Sequence, residues 1–88
     1  MKCEQNHRPN IQCRNDATVI VIHHHSPAMK GTVSALTVVR FDLMCEAHKQ
    51  AFLAIPGNRE ATTVAAYSPG DVTDLRVLLA SPQFEVVL

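Results

Sequence analysis

The stretch "LMCEAHKQAF", residues 43–52, is where the chain changes character. Up to Met44 the residues alternate as a β-strand does; from Cys45 onward the spacing suits a helix. Cys45 and His48 stand three apart at that junction. Residues three apart on a helix share a face, so a thiolate and an imidazole from one first turn can converge on one ion. A helix N-terminus also favours the anionic form of a cysteine, because its unpaired N–H groups stabilise negative charge. The junction therefore reads as half of a metal site.

The other half lies upstream. "ATVIVIHHH", residues 17–25, is β-branched and predicts a strand. "SPAMKG" breaks it with Pro27 and Gly31, and residues 32–44 predict a second strand. In that second strand Val33, Ala35, Val39, Phe41 and Leu43 fall on one face, with Ser34, Arg40 and Asp42 on the other. An antiparallel hairpin of these two runs carries Cys45 back beside Cys13. Residues 1–16 are polar, contain Pro9, and read as a loop or knuckle holding Cys3 and Cys13.

Structural zinc takes four thiolate or imidazole ligands in a tetrahedron. Cys3, Cys13, Cys45 and His48 supply such a set, and His7 competes with Cys3 for the first position. Three cysteines is an odd number, which suits metal ligation better than disulfides. Three thiolates around Zn²⁺ leave a net charge of about −1, so Arg8, Arg14 or Lys49 is expected beside the sulfurs. His23, His24 and His25 offer a weaker second constellation. On a strand only His23 and His25 share a face, and the run reads as a solvent-facing strand end near the hairpin tip.

Beyond the junction, Ala47, Ala51, Phe52 and Ile55 give residues 45–55 a helical spacing that Pro56-Gly57 stops. "ATTVAAY", residues 61–67, predicts a third strand. "SPGD", residues 68–71, has the form of an N-cap followed by proline in the first turn. Leu75, Val77, Leu78 and Leu79 then supply the apolar content of a second helix ended by Pro82, and "FEVVL" reads as a closing edge strand. The expected fold class is α+β, a single zinc-stabilised domain over residues 1–88. Residues 1–55 form its zinc-binding core and residues 56–88 a C-terminal β/α extension.

A knuckle, a β-hairpin and a helix whose first turn carries the last two ligands is an order that resembles the treble-clef zinc fingers. "CRNDAT" followed by a β-branched strand, then "LMCEAH", is similar to small zinc-binding proteins of actinobacteria and their phages. The resemblance spans about residues 3–55. It implies a treble-clef-type core and a phage-encoded or actinobacterial accessory protein. The wide gap between Cys3 and Cys13 departs from the close ligand spacing usual in such knuckles.

Composition bounds the function. The chain has 88 residues, 47% hydrophobic and 18% charged, which is globular composition. A domain this small buries only roughly 60–65% of the surface its unfolded chain exposes, so a metal staple is physically sensible. Eight basic residues balance eight acidic ones, and they form no run in the sequence. With one Tyr and three Phe, this argues against a phosphate-tracking, base-stacking surface, although a nucleic-acid-binding zinc finger is the alternative function. No apolar run approaches the roughly 18 residues of a membrane span, and "MKCEQNHRPN" lacks the apolar core of a signal peptide. A cytoplasmic protein without membrane association is expected. Glu4 and Glu46 follow ligands but form no general-base motif, so no enzyme activity is expected. The expected role is a protein–protein interaction module for another protein, such as a host protein. A homodimer formed through the C-terminal strand is an allied expectation.

Overall fold

A computed structural model describes residues 1–4, 6–8, 11–31, 33–34 and 37–80, with the backbone alone for 6–8 and 11–12. In chain order these form β1 (Asn6–Arg8), β2 (Ile11–Gln12), β3 (Val19–His24), β4 (Val38–Met44), α1 (Glu46–Ala54), β5 (Thr62–Ala66) and α2 (Pro69–Ala80). A 3-10 turn, Pro27–Met29, lies in the tip between β3 and β4. The architecture is α+β: a three-stranded antiparallel sheet in the order β4-β3-β5 and two helices. The predicted strand "FEVVL" lies outside the described residues.

β3 is central, which explains its continuous apolar run. Ile20 and Val21 are fully buried on opposite faces and Ile22 is nearly so. β4 returns antiparallel with Val19 opposite Met44 and Ile22 opposite Phe41, and β5 pairs along the other edge from Val19–Ala66 to His23–Thr62. The return strand is shorter than the expected 32–44. Thr37 N–H donates to the Ser34 carbonyl at 3.1 Å, and Ser34 N–H donates to Thr37 Oγ1 at 3.0 Å. This local turn delays the ladder until Val38. A bulge then resets the alternation: His23 faces Arg40 while His24 faces Val38, leaving Val39 as the extra residue. Val38 is therefore buried and Val39 exposed, the reverse of the expected placement of Val39 beside Phe41 and Leu43.

The N-terminal segment is more ordered than a loop. Lys2 bridges to Asp16, Cys3 N–H donates to the Asn15 carbonyl at 2.9 Å, and β1 pairs antiparallel with β2. This small hairpin brings Cys3 and Cys13 to the same end despite their wide spacing. Its arm is tied to β4 by Glu4 N–H donating to the Leu43 carbonyl and by Glu4 Oε1 accepting from Leu43 N–H, both at 2.8 Å.

Two cores result, one on each face of the sheet. Ala17, Ile20, Ile22, Val38 and Leu43 meet Val72 and Leu75 of α2, with Phe41, Tyr67, Leu78 and Leu79 at the margin. Ser68 stands before α2, with Asp71 N–H at 3.4 Å from its hydroxyl. Val77, expected among the apolar contacts of this helix, is exposed, and Val72 takes the inward position. On the opposite face Cys3, Cys13, Val21, Met44 and Cys45 cluster, with Val19 and Phe52 against them.

Candidate metal centre

Cys45 ends the β4 excursion in an extended conformation, φ −78° and ψ 169°, and serves as the N-cap residue of α1. Its carbonyl accepts from Lys49 N–H at 2.9 Å, which starts the helix and places His48 one turn on. The face that α1 turns inward carries His48 and Phe52, both half-buried, whereas Ala47, Ala51 and Ile55 are exposed. The expected inward stripe thus lay one residue out of phase. Phe52 belongs to both spacings, and aiming His48 at the sulfurs selects the other.

The Sγ atoms of Cys3, Cys13 and Cys45 and a ring nitrogen of His48 all lie within 4.8 Å of one another. His48 Nδ1 is 3.4 Å from Cys3 Sγ and 3.2 Å from Cys45 Sγ, and Cys13 Sγ is 4.0 Å from Cys45 Sγ. Ligand bonds of about 2.0–2.3 Å place the corners of a tetrahedron about 3.3–3.8 Å apart; the three separations bracket that range, and small side-chain shifts would set the four donors around one small cation. The three cysteines are buried, with 0%, 1% and 4% of their surface exposed, and none forms a disulfide. Among the described residues this is the only group of three or more Cys, His, Asp or Glu side chains so arranged. The set coincides with the one expected from sequence with Cys3 as its first member. His7 sits on β1, and its side chain lies outside the described residues.

Burial raises the Cys45 thiol pKa, but its neighbours outweigh burial. The nearby backbone N–H of His48, the side-chain amide of Asn15, the His48 ring and the Cys3 thiol lower it to about 6. Asn15 Nδ2 donates toward Cys45 Sγ at 3.7 Å. Where the sequence predicts a cation beside the sulfurs, the structure places this neutral amide, signalled in the sequence by its position two residues after Cys13. Lys49 is instead engaged with Glu46 at 2.7 Å, and Arg14 is exposed.

The three consecutive histidines do not form a solvent-facing strand end. Because β3 is flanked by strands and both its faces are covered, His23 and His24 are drawn inward in opposite directions. His23 Nε2 donates to Asp42 Oδ2 at 2.8 Å, and its ring meets Phe52 edge-on at 5.5 Å. His24 is buried, and its Nε2 donates to Thr63 Oγ1 at 2.7 Å, since the Thr63 hydroxyl proton goes to the Lys30 carbonyl. His25 is exposed.

No described helix is long and apolar enough to cross a membrane. Compared with protein-family models, with curated proteins and with solved structures, the chain matches none. The geometry of the Cys3, Cys13, Cys45 and His48 cluster therefore carries the functional argument alone.

Proposed function

We propose that this chain is a small zinc-binding protein in which Cys3, Cys13, Cys45 and His48 hold one structural Zn²⁺. Four convergent donors on two separate segments carry this reading. The donor set favours zinc, because three thiolates and one imidazole in near-tetrahedral spacing match its preferences and disfavour hard cations such as magnesium or calcium. The role is structural rather than catalytic: four protein ligands fill a tetrahedron, and three of them are sealed from solvent. Ligand order along the chain supports a treble-clef-type core, with the N-terminal hairpin as the knuckle and α1 as the ligand-bearing helix.

The biological role that fits best is an interaction module for another protein. A neutral charge balance supplies no long-range attraction to nucleic acid, and the bulge turns Val39 outward, where it is exposed, as Ile55 and Val77 are elsewhere on the surface. Elemental analysis of protein purified without chelators tests the metal reading. One zinc per chain is expected, falling well below one in Cys3→Ser; a metal-free native chain, or full zinc retention in Cys3→Ser, would overturn it. Retention on DNA that weakens steeply with salt would replace the interaction module with a nucleic-acid module.

A further inference from the structure

We infer that the pocket at the outer edge of β5 is a binding site for an organic phosphate monoester. Lys30, from the hairpin tip, and Arg59, from the α1–β5 turn, meet there with Leu53, Thr62, Thr63 and Val64 around a cavity of about 360 Å³. That volume falls within the ordinary range of small-ligand sites. The two cations are far apart in the sequence, and only the fold brings them to one concavity.

The pocket is held in shape before any ligand enters. Lys30 Nζ donates to the Arg59 carbonyl at 2.9 Å, and Arg59 Nε donates to the Leu53 carbonyl at 3.2 Å. Thr63 Oγ1 donates to the Lys30 carbonyl at 3.0 Å and accepts from buried His24, while Thr62 Oγ1 donates to the Asn58 carbonyl at 2.6 Å. With Nε committed, the terminal guanidinium nitrogens of Arg59 keep the planar fork that suits a phosphate. Lys30 keeps two further N–H donors.

Charge points the same way. Among the described residues Lys2, Arg40 and Lys49 each sit within 4.0 Å of a carboxylate, whereas Lys30, Arg59, Arg14 and Arg76 do not; of these four, Lys30 and Arg59 share the cavity. No carboxylate lines the cavity. Two like charges converging without a counter-ion favour an anionic ligand, and charge-assisted hydrogen bonds from both would be the strongest contacts in the site. Leu53 and Val64 give the cavity an apolar wall, which favours a phosphate bearing an organic group over free phosphate. The site shares no residue with the metal cluster.

Titration of the full-length protein with phenyl phosphate, followed by backbone amide chemical shifts at neutral pH, tests the inference. Saturable shifts confined to Lys30, Arg59 and Thr62 through Val64 are expected, with inorganic phosphate binding more weakly and benzyl alcohol not at all. Arg59→Gln should weaken phenyl phosphate roughly tenfold or more, as should Lys30→Gln, while Lys30→Arg retains binding and Arg76→Gln on α2 changes nothing. Both pocket cations are exposed, so an amide spectrum otherwise unchanged will show that each variant folds. Shifts that are absent, that spread equally to Arg14 and Arg76, or that survive both Gln substitutions would overturn it. Zinc content measured on the same samples keeps the two readings separable, since pocket binding by a metal-free chain would sink only the zinc assignment.

Discussion

On the face of the sheet that carries Ile20, Ile22 and Leu43, α2 lays Val72 and Leu75 into an aliphatic core. On the face that carries Val21 and Met44, the space is filled by Cys3, Cys13 and Cys45, with only Val19 and Phe52 beside them. The first face is held by burial of branched side chains. The second has too little hydrocarbon to hold α1 and the N-terminal arm: α1 has no fully buried residue, and its largest inward side chain is the half-buried Phe52. On the proposed zinc reading, metal ligation supplies the missing attachment there. One sheet is thus secured by two kinds of force, and each kind should fail under its own perturbation.

Chelation should produce the largest effect. Structural zinc contributes on the order of 10 kcal/mol of apparent binding free energy, comparable to the whole stability of a small domain at about 5–15 kcal/mol. Removing the metal should abolish amide-exchange protection in α1 first, and melting of the chelated protein should lose its cooperative transition. If α1 protection were unchanged, the contrast between the faces would be wrong.

A cavity on the other face should cost less and leave the metal in place. Ile20→Ala is expected to destabilise by about 3 kcal/mol, measured by urea unfolding, with one zinc per chain retained. Loss of zinc from the folded variant would mean that the two faces are not separable.

The smallest effect sharpens the contrast through pH. The hydrogen bond from His23 holds the Asp42 carboxyl below its ordinary value of 3.8 against the opposing effect of burial, with Arg40 and the charge on His23 assisting. A depressed carboxyl stabilises the fold fully above its unfolded value and loses that contribution as pH falls through the folded value. Asp42→Asn should therefore cost about 1 kcal/mol at mildly acid pH, a cost that shrinks as pH falls below the ordinary carboxyl value of 3.8 toward the folded one. Without a metal, the neighbours of Cys45 hold its thiol well below its ordinary value, at about 6. The metal-dependent part of stability should accordingly decline as pH falls through about 6, where protons begin to compete for the thiolate. Zinc retention on dialysis that stays constant as pH falls through about 6 would contradict this.

Much of this organisation was legible in the sequence. The β-branched run through Ile22 gave the central strand, the change of period at Cys45 gave the start of α1, and Ser68 with Pro69 gave the start of α2. The grouping of Cys3, Cys13, Cys45 and His48 was expected from donor chemistry and from the rule that a hairpin returns to its origin, and the four side chains do come together. Three features were hidden because they depend on tertiary context. The bulge at Val39 reverses an alternation that looked regular, since residue type alone does not mark an extra residue in a ladder. The inward phase of α1 differs from the apolar spacing because Ala47 and Ala51 are apolar yet exposed, while polar His48 faces in. The β1–β2 hairpin carried little β-branched signal, being built from Asn, His, Arg and Gln around a single Ile among its described strand residues. Lys30 and Arg59, apparently scattered in the sequence, become neighbours only when the tip folds against the α1–β5 turn.

The most direct test of the central claim is X-ray absorption at the zinc edge on the purified protein. Three sulfur scatterers at about 2.3 Å and one nitrogen at about 2.0–2.1 Å are expected. A first shell of nitrogen and oxygen alone, or one with two sulfurs that is unaltered by Cys3→Ser, would contradict the assignment.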